Sequence, residues 1–205
     1  MIKKQIFAHR GLWAENSSVP NSPHSIESAF NVGYAVETDI RDQNLEIVIS
    51  HDPCVEGNQP KVSQFLNSEN RIALNVKSDG LSPLLSQHKE ILRESGSFVF
   101  DCSIPQALRF REEKIPLALR LSEYERELPW KPDYVWLDAF HDDWWIDDES
   151  ILSIFENIPT IIVSPELHGR ENRRVWDKFI SMNNTFRELA ICTDYPIALG
   201  KLLND

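Results

Sequence analysis

Two acidic residues, Glu37 and Asp39, lie inside an apolar stretch that reads AVETDI from Ala35 to Ile40. Side chains alternate between the faces of a strand, so these two carboxylates share one face and lie about 7 Å apart. Such a pair repels itself when buried unless one member binds a proton or a cation joins them. A hard divalent cation, Mg²⁺ or Ca²⁺ with Mn²⁺ as a third option, suits oxygen ligands of this kind. The other interpretation is that the acids face solvent or pair with an arginine such as Arg41.

Two histidines stand on either side of the acidic pair in the sequence. His9 ends the apolar run of FAHRG, and His51 ends the run of VISHD. A lone histidine is usually structural, but two at strand ends around bound phosphate could supply general acid and base catalysis.

Short apolar runs alternate with helical patterns along the chain, and this alternation is typical of an α/β fold. Strands are predicted at 5–8, 35–40, 45–50, 71–76, 97–101, 116–121, 134–140, 160–164 and 189–193. Helices are predicted at 22–33, 82–95, 104–113, 148–158, 171–184 and 196–203. The segment 45–50 follows a short polar turn and is expected to pair with 35–40 as a hairpin.

Without the returning arm of the hairpin, eight strands remain, most of them followed by a helix. This count predicts a compact (β/α)8 TIM barrel with short loops and a β-hairpin extension after the second strand. No linker or repeat interrupts the sequence, so residues 1–205 are expected to form a single domain. A doubly wound open sheet has the same alternation and is the alternative. The segment 122–132, with room for barely two helical turns, is the least regular part of the pattern.

Composition narrows the class of partner. With 32 acidic and 21 basic residues the net charge is -11, which argues against nucleic acid and favours a small substrate. The apolar run near the N-terminus is too short for a signal peptide and nothing approaches a membrane span, so a cytoplasmic location is expected. Three widely spaced cysteines fit free thiols rather than a disulfide framework.

Taken in order, the segments AHRG, VETDIRD, ISHDP, NVK and ICTDYP resemble those of the glycerophosphodiester phosphodiesterases. These enzymes are (β/α)8 barrels of the phospholipase C-like class. The resemblance is strongest across residues 5–53, recurs weakly at 72–77 and returns at 191–196. Between 80 and 185 only the rhythm of strands and helices agrees.

The resemblance implies a role for six residues that match the family's motifs. Its general acid and base correspond to His9 and His51, its metal ligands to Glu37 and Asp39, and its phosphate-binding cations to Arg10 and Lys77.

One departure from the family affects the metal site. The third strand of the family ends in Glu-x-Lys, whereas this chain has Asn75 before Lys77. An amide oxygen can bind a hard cation but brings no charge, so either the metal affinity is expected to fall or another carboxylate is expected to contribute. Glu166, in SPELHGR, is the first choice and Asp138 the second; His168 of the same loop is expected to meet substrate.

The resulting hypothesis is a metal-dependent phosphodiesterase of lipid metabolism. It would hydrolyse a glycerophosphodiester or a similar phosphodiester to a phosphomonoester and an alcohol through two-histidine acid and base catalysis. Two alternatives stay open. One is a lyase of the sphingomyelinase D type that forms a cyclic phosphate. The other is a barrel that binds a phosphorylated ligand without catalysis, which is suggested by Asn75 in place of the metal-ligand glutamate of the family.

Overall fold

A computed structural model describes residues 5–54, 57–186 and 188–203, so the ends of the predicted domain 1–205 lie outside the described residues. The strands are β1 Ile6–His9, β2 Ala35–Gln43, β3 Glu46–Ile49, β4 Ile72–Val76, β5 Phe98–Phe100, β6 Ala118–Leu121, β7 Tyr134–Leu137, β8 Thr160–Val163 and β9 Leu189–Thr193. The helices are α1 Pro23–Val32, α2 Ser82–Ser86, α3 Lys89–Ser95, α4 Ile104–Glu112, α5 Glu149–Asn157, α6 Arg173–Asn183 and α7 Pro196–Leu202.

Eight of the strands form a nearly closed parallel barrel. Their order is β5-β4-β2-β1-β9-β8-β7-β6, with every neighbour parallel. A single bridge between Val99 and Leu117, with a 2.9 Å bond from the Val99 N–H to the Pro116 carbonyl, joins the two end strands. The predicted TIM barrel is therefore confirmed. The hairpin extension is also confirmed, because β3 pairs antiparallel with β2 and places Ile40 opposite Ile49.

The two faces of each strand pack into separate apolar clusters. The inner cluster fills the barrel with alternating small and large side chains, including Ala35, Ala73, Phe7, Phe98 and Trp136. The outer faces pack against the helices in a larger cluster. Because strand side chains alternate, the polar residues that follow the inner cluster along each strand point toward the barrel axis.

Local sequence explains where α1 begins and ends. Ser22 is the N-cap, its Oγ accepts a 3.1 Å bond from the Ser25 N–H, and Pro23 occupies the first helical turn. Gly33 ends the helix at φ 93°, a left-handed conformation that glycine adopts without penalty. The helix predicted over 22–33 is confirmed, and its start stands directly above the barrel mouth.

One predicted helix differs in the structure. The helix predicted over 82–95 is two helices, separated by a turn at Gln87 and His88 in which the His88 N–H donates to the Leu85 carbonyl, three residues back, at 2.9 Å. Leu85 and Leu92 are both buried in the outer cluster. The segment 122–132 holds no helix. Within the described ranges, no helix combines the length and apolar content that crossing a bilayer requires.

Candidate active site

The C-terminal ends of β1, β2 and β4 bring together most of the residues singled out from the sequence. Strand pairing sets His9 beside Glu37 and sets Asp39 beside Asn75. Lys77 follows β4 by one residue, and its N–H donates to the Ile40 carbonyl. In a barrel this is the face at which catalytic side chains gather.

Asp39 is the fully buried anion at the centre of the group. Its Oδ2 lies 2.9 Å from Arg10 Nε and accepts a 2.8 Å hydrogen bond from Asn21 Nδ2. Its Oδ1 lies 3.4 Å from Lys77 Nζ. Asn21 also holds the strand itself, since its Oδ1 accepts a 2.8 Å bond from Thr38 Oγ1. Asp39 therefore fixes two cations at the mouth, and both keep partial access to water.

Glu37 is buried beside Asp39 and faces the same way. Burial raises the pKa of its carboxyl group, and the charge of Asp39 adds to the increase, while His9, Arg10 and Lys77 oppose it. Its Oε2 accepts a 3.2 Å bond from the Arg10 N–H. The two carboxylates therefore repel each other on one strand face, as expected, and two cations beside them offset part of this repulsion.

His9 lies between Glu37 and Asp194. Its Nδ1 donates to Asp194 Oδ1 at 2.7 Å, and its Nε2 lies 3.8 Å from Glu37 Oε2. Burial alone would lower the pKa of His9, but the hydrogen bond to Asp194 and the charges of Glu37 and Asp194 outweigh it, so the pKa is raised. The Trp13 indole N–H donates 2.9 Å to the His9 carbonyl and helps to fix the backbone there. The imidazole is held in one orientation.

Asn75 and Asp39 offer oxygen atoms that fit a hard cation. Asp39 Oδ1 and Asn75 Oδ1 are buried and belong to paired strand positions. Asp39 Oδ1 has the 3.4 Å ion-pair contact with Lys77, and Asn75 Oδ1 has no hydrogen-bond partner among the described residues. Buried polar atoms without a partner are rare in native proteins, and an ion is one reason for them. With Glu37 they give two carboxylates and one amide oxygen, a donor set suited to Mg²⁺ or Ca²⁺. The described residues hold no cluster of three His, Cys, Asp or Glu side chains that could bind a metal.

His51 lies at the rim of the mouth rather than in this buried group. About half of its side chain is exposed, and its Nδ1 lies 2.9 Å from Asp52 Oδ1. It lines a cavity of about 360 Å³ together with Arg10 and Asn21. Ile49 and Ser50, at the end of β3, also line this cavity, so His51 and Arg10 border a common space that a substrate could occupy.

Glu166 and His168 lie just past the end of β8, in a short 3₁₀ turn at Pro165–His168. Both oxygens of Glu166 are engaged: Thr193 Oγ1 and the Asp194 N–H donate to one, and Ser164 Oγ donates to the other. The contacts of Glu166 are therefore with β8 and β9 instead of Asp39 and Asn75.

His168 points toward the end of β7. Its Nε2 lies 2.7 Å from Asp138 Oδ1, and its ring packs at 4.8 Å from the Phe140 ring. The pair lies across the mouth from Lys77. Asp138 also accepts a 2.9 Å bond from the Ala139 N–H, which occupies part of its capacity as a ligand.

Two residues of the site were not assigned by sequence reasoning. Asp194 binds the His9 imidazole, and Asn21 binds the Asp39 carboxylate. The signal for Asp194 was its place at the end of the last strand, since a closed barrel sets β9 beside β1. For Asn21 the signal was an amide directly before the N-cap of α1.

Gly11, in the motif that follows His9, allows the first loop to approach α1. Its φ is +83°, and a Cβ there would lie 2.6 Å from the Ser25 carbonyl carbon and 2.8 Å from the Ile26 nitrogen. Gly11→Ala is expected to lower the free energy of unfolding by roughly 2–4 kcal/mol, from left-handed strain plus overpacking against backbone. Urea denaturation measures the change. Gly57→Ala, also at positive φ but with open space around it, is the control for strain alone.

Comparison with known proteins bears on the fold. No protein-family model and no curated protein matches the sequence. A crystal structure of a glycerophosphodiester phosphodiesterase from Agrobacterium tumefaciens is similar over 100% of both chains, with TM-score 0.67 and 12% identity. Another, from Parabacteroides distasonis, is similar over 97% of this chain and 96% of that chain, with TM-score 0.57 and 16% identity. The chain therefore has the barrel fold that glycerophosphodiester phosphodiesterases of known structure also have.

Proposed function

We propose that the protein is a metal-dependent phosphodiesterase that hydrolyses a glycerophosphodiester or a similar small phosphodiester to a phosphomonoester and an alcohol. One observation carries the proposal. Six side chains lie together at the C-terminal mouth of the barrel. They are an oriented histidine, two buried carboxylates, an amide whose oxygen has no partner among the described residues, and two cations: His9, Glu37, Asp39, Asn75, Arg10 and Lys77. The fold shared with two such enzymes supports it.

Each group has a role that its surroundings permit. Arg10 and Lys77 would bind the nonbridging phosphate oxygens, and their positive charge matters more as negative charge gathers in the transition state. His9 would move a proton at Nε2, because Asp194 occupies Nδ1. His51, across the rim cavity, would exchange the second proton of the reaction with the nucleophile or the leaving alcohol.

A divalent cation belongs to this proposal as a bound cofactor. Glu37, Asp39 and Asn75 would hold it, and it would supply Lewis-acid stabilisation of charge on a phosphate oxygen. Glu166 would act outside this ligand set, because its oxygens already accept from Thr193, Asp194 and Ser164. Lys77 would then turn from Asp39 toward the phosphate or toward Asp101, which lies 3.6 Å away.

The test combines turnover with direct metal binding. Hydrolysis of bis(p-nitrophenyl) phosphate and glycerophosphocholine is followed with Mg²⁺, Ca²⁺ and Mn²⁺, and phosphorus NMR separates a monoester product from a cyclic phosphate. Calorimetry on Asn75→Glu and Asn75→Leu gives the second readout. The glutamate adds a charged ligand and is expected to tighten binding about tenfold, whereas leucine removes a donor and weakens it by a similar factor. Equal metal affinity in both variants would remove Asn75 from the site, and no turnover with any of the metals would end the enzyme proposal.

A barrel that binds a phosphorylated ligand without hydrolysis is the second candidate. Asn75 favours it, because the ligand set then has one carboxylate fewer than the family pattern. The ion pairs of Asp39 with Arg10 and Lys77 favour it as well, since they already neutralise that carboxylate. Tight binding of glycerol 3-phosphate without turnover is the outcome that this candidate predicts.

A further inference from the structure

A basic cavity lies at the end of the barrel opposite the candidate active site. It has a volume of about 470 Å³ and is bounded by the segments that precede β6, β7 and β8 and by the last turns of α3 and α4. Segments that precede barrel strands lie at the N-terminal face, away from the catalytic mouth. The volume falls inside the range of about 300–1,000 Å³ typical of small-molecule sites. Its polar lining consists mainly of Arg93, Arg111, Lys114, Trp130, Lys131 and Asp133.

The charge of this cavity is opposite to that of the protein as a whole. Four cations and one carboxylate line it, in a chain whose net charge is -11. The carboxylate, Asp133, accepts a 3.0 Å bond from the Leu117 N–H. Arg93 is engaged by Glu90 at 2.8 Å. Within residues 5–54, 57–186 and 188–203, the other three cations, Arg111, Lys114 and Lys131, form no ion pair.

Helix ends account for only part of this charge. The C-termini of α3 and α4 favour Arg93 and Arg111, because a cation there complements the helix dipole. Lys131 lies in a loop instead, between Pro129 and Pro132, which restrict the backbone on both sides.

An aromatic ring completes the lining beside the cations. Trp130 is partly buried, and the Arg111 guanidinium lies 5.2 Å from the centre of its ring. The ring holds this long side chain against the cavity wall by a cation-π contact. The four cations are solvent-exposed side chains that line one cavity beside this ring.

We propose that this cavity binds a small polyanion that carries two or more linked phosphate groups. Converging lysine and arginine side chains bind phosphate chains through charge-assisted hydrogen bonds, and Trp130 offers an apolar surface to whatever the phosphates are attached to. Inorganic pyrophosphate and the diphosphate of a nucleotide share this chemistry. The proposal does not depend on the phosphodiesterase activity, because it uses different residues at the other end of the barrel.

Calorimetry with pyrophosphate and with ADP tests the proposal, at low ionic strength and with EDTA to keep divalent cations away. Both ligands are expected to bind the unmodified protein with Kd below about 1 mM. Lys114→Glu/Lys131→Glu is expected to weaken binding at least about tenfold, since it removes two charge-assisted contacts and adds repulsion. Lys201→Glu, at the exposed end of α7, makes the same kind of charge change outside the cavity and is expected to alter Kd less than about twofold.

Two further variants locate the ligand. Lys77→Ala is expected to leave the affinity unchanged, and a loss of affinity there would place the anion at the candidate active site. Trp130→Ala separates the two sources. If the unmodified protein binds ADP more tightly than pyrophosphate and Trp130→Ala abolishes that preference, the ligand is a nucleotide. If the unmodified protein already binds both equally, the cavity recognises the phosphate chain alone. Absence of binding for both ligands, or equal weakening in Lys201→Glu, overturns the proposal.

Discussion

Replacing His9 by alanine is expected to lower kcat for phosphodiester hydrolysis by at least about a hundredfold, the usual contribution of a positioned acid or base. The imidazole is held between Asp194 and Glu37, and its Nε2 lies 3.8 Å from Glu37 Oε2, on the side of the buried carboxylate pair that Arg10 and Lys77 contact. Steady-state kinetics with bis(p-nitrophenyl) phosphate measures the loss. Circular dichroism and thermal unfolding show whether the barrel stays folded.

Asp194→Asn tests the orientation of the same ring without removing it. The variant is expected to reduce kcat by at least about tenfold, because a carboxylate partner fixes the tautomer and stabilises the imidazolium. Burial lowers the pKa of His9, and the hydrogen bond to Asp194 is the largest effect that raises that pKa. Without the Asp194 carboxylate, the effect of burial is opposed less strongly. The limb of the pH profile that reports His9 should therefore move to lower pH. A purely structural role for Asp194 would reduce stability and leave the profile in place.

His51→Ala is the matching test on the rim, and the same loss of at least about a hundredfold is expected if His51 exchanges the second proton. His24→Ala, an exposed histidine on α1, is the control and should leave kcat unchanged. Retained activity in His51→Ala would give the second proton transfer to another group. Asp138 with His168, on the opposite side of the mouth, would then be the pair to test.

The orientation of Glu37 and Asp39 could be predicted from the sequence because it depends only on local alternation. The apolar residues Val36 and Ile40 had to face the helices, which left the acids facing the barrel axis, and both are buried there. The bounds of helix α1 could also be predicted from the sequence, because Ser22, Pro23 and Gly33 specify its ends through their own backbone preferences. These features need no knowledge of distant contacts.

The contacts that closure creates could not be predicted in the same way. His9 and Asp194 are 185 residues apart, and they meet only because β9 pairs with β1 when the barrel closes. Glu166 illustrates the same limit. Its position just past β8 suggested the metal site, but nothing in the sequence indicated the contacts that the structure shows, in which Ser164, Thr193 and the Asp194 N–H donate to its carboxylate. Side-chain hydrogen bonds across strands decide such positions.

Asp39 carries the second large effect, because it is the common counter-ion of the mouth. Asp39→Asn keeps the shape of the side chain and removes its charge. Arg10 and Lys77 then lose the carboxylate that lies 2.9 Å and 3.4 Å from them. The free energy of unfolding is expected to fall by about 2–4 kcal/mol, less than for a fully buried pair because both cations keep some contact with water. Urea denaturation in EDTA measures this fall apart from any bound metal.

Thr38→Val is the control on the same strand. Thr38 faces the other way and donates to the same Asn21 that binds Asp39, so valine removes one neutral hydrogen bond at nearly constant volume. Its cost should stay near 1 kcal/mol, roughly the net worth of such a bond. An equal cost in both variants would show that Asn21, rather than the ion pairs, holds the mouth together. A stability gain in Asp39→Asn would mean that repulsion from Glu37 exceeds the attraction of both cations. Either result would leave Arg10 and Lys77 without the anchor that the proposed phosphate site requires.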